Sequence, residues 1–153
     1  MNYMKLLINF VLIILLINLQ SCSRHLVPSQ SISATSYSEY EITYFVVTSG
    51  KNRSDAMKNA SMKVFENIFY IGTPGSINNL PMLDGSRNQT QSFFLKFVDN
   101  EQYKPFVTSI TETSYSNTDN ITKAVKLETK MVVNIESLRR NLEREGIIRK
   151  FGY

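Results

Sequence analysis

Val125-Lys126-Leu127-Glu128-Thr129-Lys130-Met131-Val132-Val133-Asn134-Ile135 decides the fold of this chain. Val125, Leu127, Thr129, Met131, Val133 and Ile135 fall on one face, and Lys126, Glu128 and Lys130 on the other. A period of two over β-branched and apolar residues predicts a strand buried on one side and wet on the other. A sheet with one wet face is ordinarily antiparallel. Just upstream, Phe106 to Tyr115 reads as another strand and Ser116 to Asn120 as a polar turn, so the two segments form a hairpin. Just downstream, Asn134 or Ser137 opens a helix that carries Leu138 and Leu142 and stops at Gly146. Its charges are spaced for pairing, Glu136 with Arg140 and Arg139 with Glu143, so the basic pair Arg139-Arg140 reads as a solvated helix face. Ile147 to Phe151 predicts a short final strand.

Working further out, Glu39 to Ser49 reads as the first strand. Tyr40, Ile42, Tyr44 and Val46 alternate on one face, with Phe45 and Val47 on the other. Gly50 and Asn52 supply a turn, and Ser54 caps a helix over Asp55 to Ile71. Ala56, Ala60, Val64 and Ile68 form its apolar stripe, joined by Met57, Phe65 and Ile71. Gly72 and Pro74 end it. Thr73 to Gln91, rich in Gly, Pro and Asn, reads as a long loop docked by Leu80, Met82 and Leu83, and it is the expected partner contact. Ser92 to Asn100 predicts a second helix whose Phe93, Phe94, Phe97 and Val98 are core residues. Pro105 bars its continuation.

This order of elements predicts an α+β fold: a two-layer sandwich with a mostly antiparallel sheet and helices on one face. The helix between the first two strands allows those strands to be parallel neighbours.

The amino terminus carries a different message. Lys5, then an apolar run from Leu6 to Ile17 interrupted only by Asn9, fits an export leader. Asn18 and Gln20 cut the run below the roughly 20 apolar residues that a spanning helix needs. Leu19-Gln20-Ser21-Cys22 follows, with the only cysteine of the chain. These residues resemble the bacterial lipobox, with Leu19 at minus three, Ser21 at minus one and Cys22 at plus one. The resemblance implies a signal peptide over residues 1–21, cleavage before Cys22, and diacylglycerol plus a further acyl chain such as palmitate on Cys22. Two or three chains make a stable anchor where one is marginal. Ser23 after the cysteine implies the outer membrane, and the non-acidic Arg24 and His25 imply its periplasmic face, a lipid-anchored lipoprotein of the cell envelope.

Residues 22–38 hold Pro28 and six serines after the cysteine, which reads as a lipidated, flexible tether. Residues 39–153 then make a single domain. The formal charge is +4, a mild excess with no concentrated basic stripe, so nucleic acid is not an expected partner. The one histidine, His25, sits in the tether, and no nucleophile elbow, metal-ligand spacing or phosphate loop occurs. No catalytic residue, metal or cofactor is therefore expected; Glu112, Asp119 and Glu128 are the carboxylates whose convergence in a cleft would revive a hydrolase.

Two resemblances bear on function. The strand, the Ser54-Asp55-Ala56-Met57-Lys58-Asn59-Ala60 helix start, the long hairpin and the run from Val133 to Glu143 resemble the amino-terminal domain of flagellar assembly protein T and its lipoprotein relatives. In length, lipobox and Asn/Ile/Lys-rich composition the chain is similar to accessory lipoproteins of Bacteroidetes-type type VI secretion systems. Both imply a non-enzymatic protein-protein interaction subunit that docks or stabilises an envelope or secretion assembly, held to the membrane through the acyl chains on Cys22. The alternative is a small-ligand or lipid carrier using the Phe93 to Phe97 aromatic cluster.

Overall fold

The computed structural model describes residues 30–83, 87–117 and 124–149, without the side chains of 87–89. Four strands, β1 (Ser31–Tyr37), β2 (Glu41–Gly50), β3 (Val107–Asn117) and β4 (Val125–Asn134), form one sheet in the order β1-β2-β4-β3. Every neighbouring pair is antiparallel. Three helices, α1 (Arg53–Tyr70), α2 (Arg87–Asp99) and α3 (Ile135–Arg144), complete the α+β architecture.

β4 obeys its alternation: Val125, Leu127, Thr129, Met131 and Val133 are buried, and Lys130 between them is exposed. Two expectations about the sheet fail. The first and second expected strands, β2 and β3, run parallel but are not neighbours, because β4 lies between them. The β3–β4 hairpin inserts its apolar member at the centre, where both of its edges find partners, and leaves the more polar β3 at the rim. The expected tether also ends early. Ser31 to Tyr37 is an edge strand, with Ile32 against Val46 and Ala34 against Tyr44 on the core side. Its serines face solvent, so composition hides a strand that cross-strand pairing creates.

α1 is capped by Asn52 and not by Ser54: the Asn52 side chain accepts from the Asp55 amide at 2.9 Å, and the Asp55 carboxylate accepts from the Lys51 amide at 2.8 Å. Asn52 has the extended backbone that a capping residue needs. The helix is thus longer at its start than the spacing predicted. Its buried stripe is Ala56, Ala60, Ser61, Val64, Phe65, Ile68 and Phe69, whereas Ile71 at the cap is 62% exposed. Gly72 takes a positive φ of 82° and its amide returns to the Asn67 carbonyl, which closes the helix. At the other end a Cβ on Gly50 would sit 2.3 Å from the Ala56 nitrogen, so this glycine lets α1 lie against the sheet.

The connection after α1 is tied down. Asn78 donates to the Ile68 carbonyl, and the Met82 and Leu83 amides return to the Ile68 and Phe69 carbonyls. Met82 and Leu83 are buried, while Leu80 is exposed. α2 starts at Arg87, not Ser92, and so takes over part of the expected loop. The Lys104–Phe106 3-10 turn holds Pro105 and delivers the chain to β3. α3 follows β4 directly, with Asn134 accepting from the Ser137 amide at 2.8 Å. Beyond it Ile147 to Arg149 is not a strand; Ile148 drops into the core and residues 150–153 lie outside the described chain.

The core is aromatic. Phe65 meets Phe97 and Tyr103 with ring centroids 5.4 Å apart, and Phe69 meets Phe97 at 5.3 Å and Phe94 at 6.0 Å. Phe93 packs on the same group at 5.8 Å from Phe97. These spacings are those of favourable edge-to-face and tilted pairs.

Candidate functional site

Cys22, Leu19 and Ser21 lie outside the described residues, as does Asp119. The site within the domain therefore has to be built from the sheet and its helices. α1 covers β2 and β4, and the core-side face of β3 runs out beyond it. The result is a groove of about 910 Å³ between the start of α1, the end of α2 and β3. Its apolar surface comes from Met57, Val98, Val107 and Ile110, the last 43% exposed.

Ion pairs rim this groove. The Arg53 guanidinium contacts the Glu112 carboxylate, its Nε 3.0 Å from both oxygens and its Nη2 2.9 Å from Oε2. Lys58 meets Asp99 at 2.8 Å, and Lys104 meets Glu101. Each carboxylate raises the pKa of the cation it faces, chiefly by accepting its hydrogen bond. The rim so neutralises itself. Such a surface offers contact area for an apolar side chain with hydrogen-bonding groups around it, and little net field to attract a charged ligand.

A second, smaller groove of about 650 Å³ lies between α3 and the 3-10 turn, with Arg140, Arg144 and Gln102 around Phe97 and Phe106. Arg140 is paired with Glu136 one turn earlier, as the spacing predicted, and Arg144 is hydrogen-bonded to Asn141.

Of the three carboxylates singled out in the sequence, the two within the described residues, Glu112 and Glu128, do not converge. Glu112 stands opposite Thr129 on the helix side of the sheet, and Glu128 stands opposite Ser114 on the open side, where it binds Lys126 at 2.7 Å. Successive strand residues point to opposite faces, so the sheet itself separates them. Among the described residues no cluster of three His, Cys, Asp or Glu side chains could hold a metal ion.

The aromatic cluster is occupied by its own rings. Phe94 and Phe97 are buried against Phe65 and Phe69, and Phe93 closes the side. One polar group inside the sandwich is chemically unusual. The Tyr44 hydroxyl lies 2.7 Å from the Thr73 hydroxyl, which donates onward to Asn67 at 3.1 Å. Burial pushes the Tyr44 phenol up to about 12. This chain of hydroxyls ties β2 to the end of α1.

The β3 groove is the feature that the sequence pattern did not reveal. Its floor depends on how far α1 extends across the sheet, and only Val107, Ile110 and Tyr115 on an otherwise polar strand hint at it. Among the described residues no helix is long and apolar enough to cross a membrane. No protein-family model, curated protein or solved structure matches this chain.

Proposed function

We propose that the chain is a lipid-anchored, non-enzymatic subunit that faces the periplasm from the outer membrane and docks a larger envelope or secretion assembly. The observation that carries this reading is Cys22, the single thiol, placed directly after an apolar leader and Leu19-Gln20-Ser21. Acylation of that thiol supplies an anchor without a protein span. Eight residues then separate the attachment point from β1, a reach of at most about 30 Å. The domain is thereby held close to the bilayer.

The β3 groove, apolar within and charge-balanced at its rim, is the surface on which a protein partner would seat a side chain. The packing of Phe93, Phe94 and Phe97 into the core supports docking over the carrier alternative, which needs that cluster to line a cavity. The test is Cys22→Ser in the native host. Loss of labelled palmitate and release from the membrane fraction are expected. Retention in that fraction without label would refute the anchor, and Ile110→Arg, on the groove floor, is expected to abolish co-purification of the partner assembly from detergent-solubilised envelopes while Cys22 remains acylated.

A further inference from the structure

The chain is built from two halves of the same layout. β1-β2-α1 and β3-β4-α3 are both an antiparallel hairpin followed by a helix. The sheet order β1-β2-β4-β3 relates them by a pseudo-twofold axis at the Phe45–Lys130 pair. The devices repeat as well. Each helix is capped by an asparagine that accepts from the amide three residues on, Asn52 from Asp55 and Asn134 from Ser137. Each is followed by a glycine of positive φ, Gly72 and Gly146.

The edge strands repeat residue by residue. Ser31-Ile32-Ser33-Ala34-Thr35-Ser36-Tyr37-Ser38 matches Ser109-Ile110-Thr111-Glu112-Thr113-Ser114-Tyr115-Ser116, differing only at the third and fourth positions. Both bulge at the same place, between Ala34 and Ser36 and between Glu112 and Ser114. In both, the bulged threonine donates to the carbonyl of the facing strand, Thr35 to Thr43 and Thr113 to Glu128. The central strands have diverged: aligned through those bulges, β2 and β4 share only Val47 with Val132. Drift in the buried strands beside identity at the exposed edges is the reverse of what packing alone would keep. Both edges are largely exposed, so core packing does not account for their likeness.

We propose that these two edges are equivalent docking strands for a second copy of this chain. The shared octapeptide is complementary to itself. Paired antiparallel, its second residue faces its seventh, so Ile meets Tyr on the helix side. The third faces the sixth, so Ser or Thr meets Ser on the open side. Ile110, Tyr37 and Tyr115 are indeed exposed on that helix side. Neither edge carries a lysine or proline that would block an incoming strand. The one charge, Glu112, is held by Arg53. Each bulge divides its edge into short runs, so a single contact is weak, and two edges per molecule let copies join in rows. The proposal concerns the folded domain and stands whether or not Cys22 is acylated.

Sedimentation velocity on the full chain in detergent micelles, up to about 1 mM, tests it. The wild type is expected to grow past the dimer with concentration. Ser33→Lys or Ser114→Lys alone, which charges one edge, stops at the dimer, and the double variant stays monomeric. A wild type that is monomeric throughout, or a double variant that grows as the wild type does, overturns the proposal. Hydrogen exchange on the wild type alone gives a second reading: the amides of β1 and β3 that point away from β2 and β4 must exchange at least tenfold more slowly at the high concentration than at the low one, and unchanged exchange there overturns it without any variant.

Discussion

Two threonines on the helix-facing side of the sheet should respond with opposite sign to the same substitution. Thr129 on β4 is fully buried, and its hydroxyl has no hydrogen-bond partner. Thr48 on β2 is equally buried, but its hydroxyl donates to the Ala56 carbonyl at 2.9 Å. Valine has the same shape as threonine with a methyl in place of the hydroxyl. At Thr129 the change removes a desolvated group whose burial costs about 1–3 kcal/mol, so Thr129→Val is expected to stabilise by roughly 1 kcal/mol. At Thr48 the change removes a bond worth about 0.5–1.5 kcal/mol, so Thr48→Val is expected to destabilise by about that much. The gap between the two variants is then about 2 kcal/mol, roughly thirtyfold in the unfolding equilibrium. The chain has no tryptophan, so far-UV circular dichroism in urea is the assay. With a slope of about 1–3 kcal/mol per molar, the two midpoints should separate by roughly 1 M. Equal midpoints, or a lower one for Thr129→Val, would refute the reasoning, because the Thr129 hydroxyl would then be bonded.

Gly50→Ala places its Cβ 2.3 Å from the Ala56 nitrogen and should destabilise by about 1–3 kcal/mol, read as a lowered urea midpoint. Asn134→Ala removes the α3 cap and should cost about 1 kcal/mol, largely restored by Asn134→Asp; equal losses for both would show that the cap is not the cause. Phe69→Ala, at the centre of the ring cluster, should cost about 3–5 kcal/mol. Tyr44 adds a pH dependence. Burial pushes its folded phenol up to about 12 from the ordinary tyrosine value of 10.0. The unfolded chain therefore loses its proton first as pH rises. The stability that Tyr44 confers is whole below pH 10 and lost between 10 and 12. Comparing urea midpoints of wild type and Tyr44→Phe through that window checks it, and parallel decline in both would rule Tyr44 out.

Several elements were legible because local pattern and tertiary role coincide. β4 alternates over its whole length and is buried as it alternates. α3 announces itself through Asn134, Leu138, Leu142 and Gly146, and the Glu136–Arg140 pair forms at the predicted spacing. The stripe of α1 was readable through Ala56, Ala60, Val64 and Ile68, and its start was misplaced by two residues because Asn52 and Ser54 are both competent caps. α2 was cut short for a comparable reason: Arg87 to Gln91 has no apolar residue to mark a buried face.

What was illegible depends on contacts distant in sequence. The groove over β3 exists because α1 crosses the two central strands and stops, a fact of placement that no local window carries. The separation of Glu112 from Glu128 follows from the β3–β4 register, which sets Glu112 opposite the buried Thr129 and Glu128 opposite Ser114 on the other face.

The amino-acid sequence by itself determined the class of the fold, the α+β sandwich, since one long alternating strand and two capped helices fix a sheet with one covered face. It also determined the ring-filled core, because Phe65, Phe94 and Phe97 have nowhere else to go. Tertiary structure alone decided the order of the strands and the existence of β1. An edge strand rich in serine gains its stability from the neighbour it pairs with, and pairing partners are chosen by the assembled sheet, not by the residues on either side.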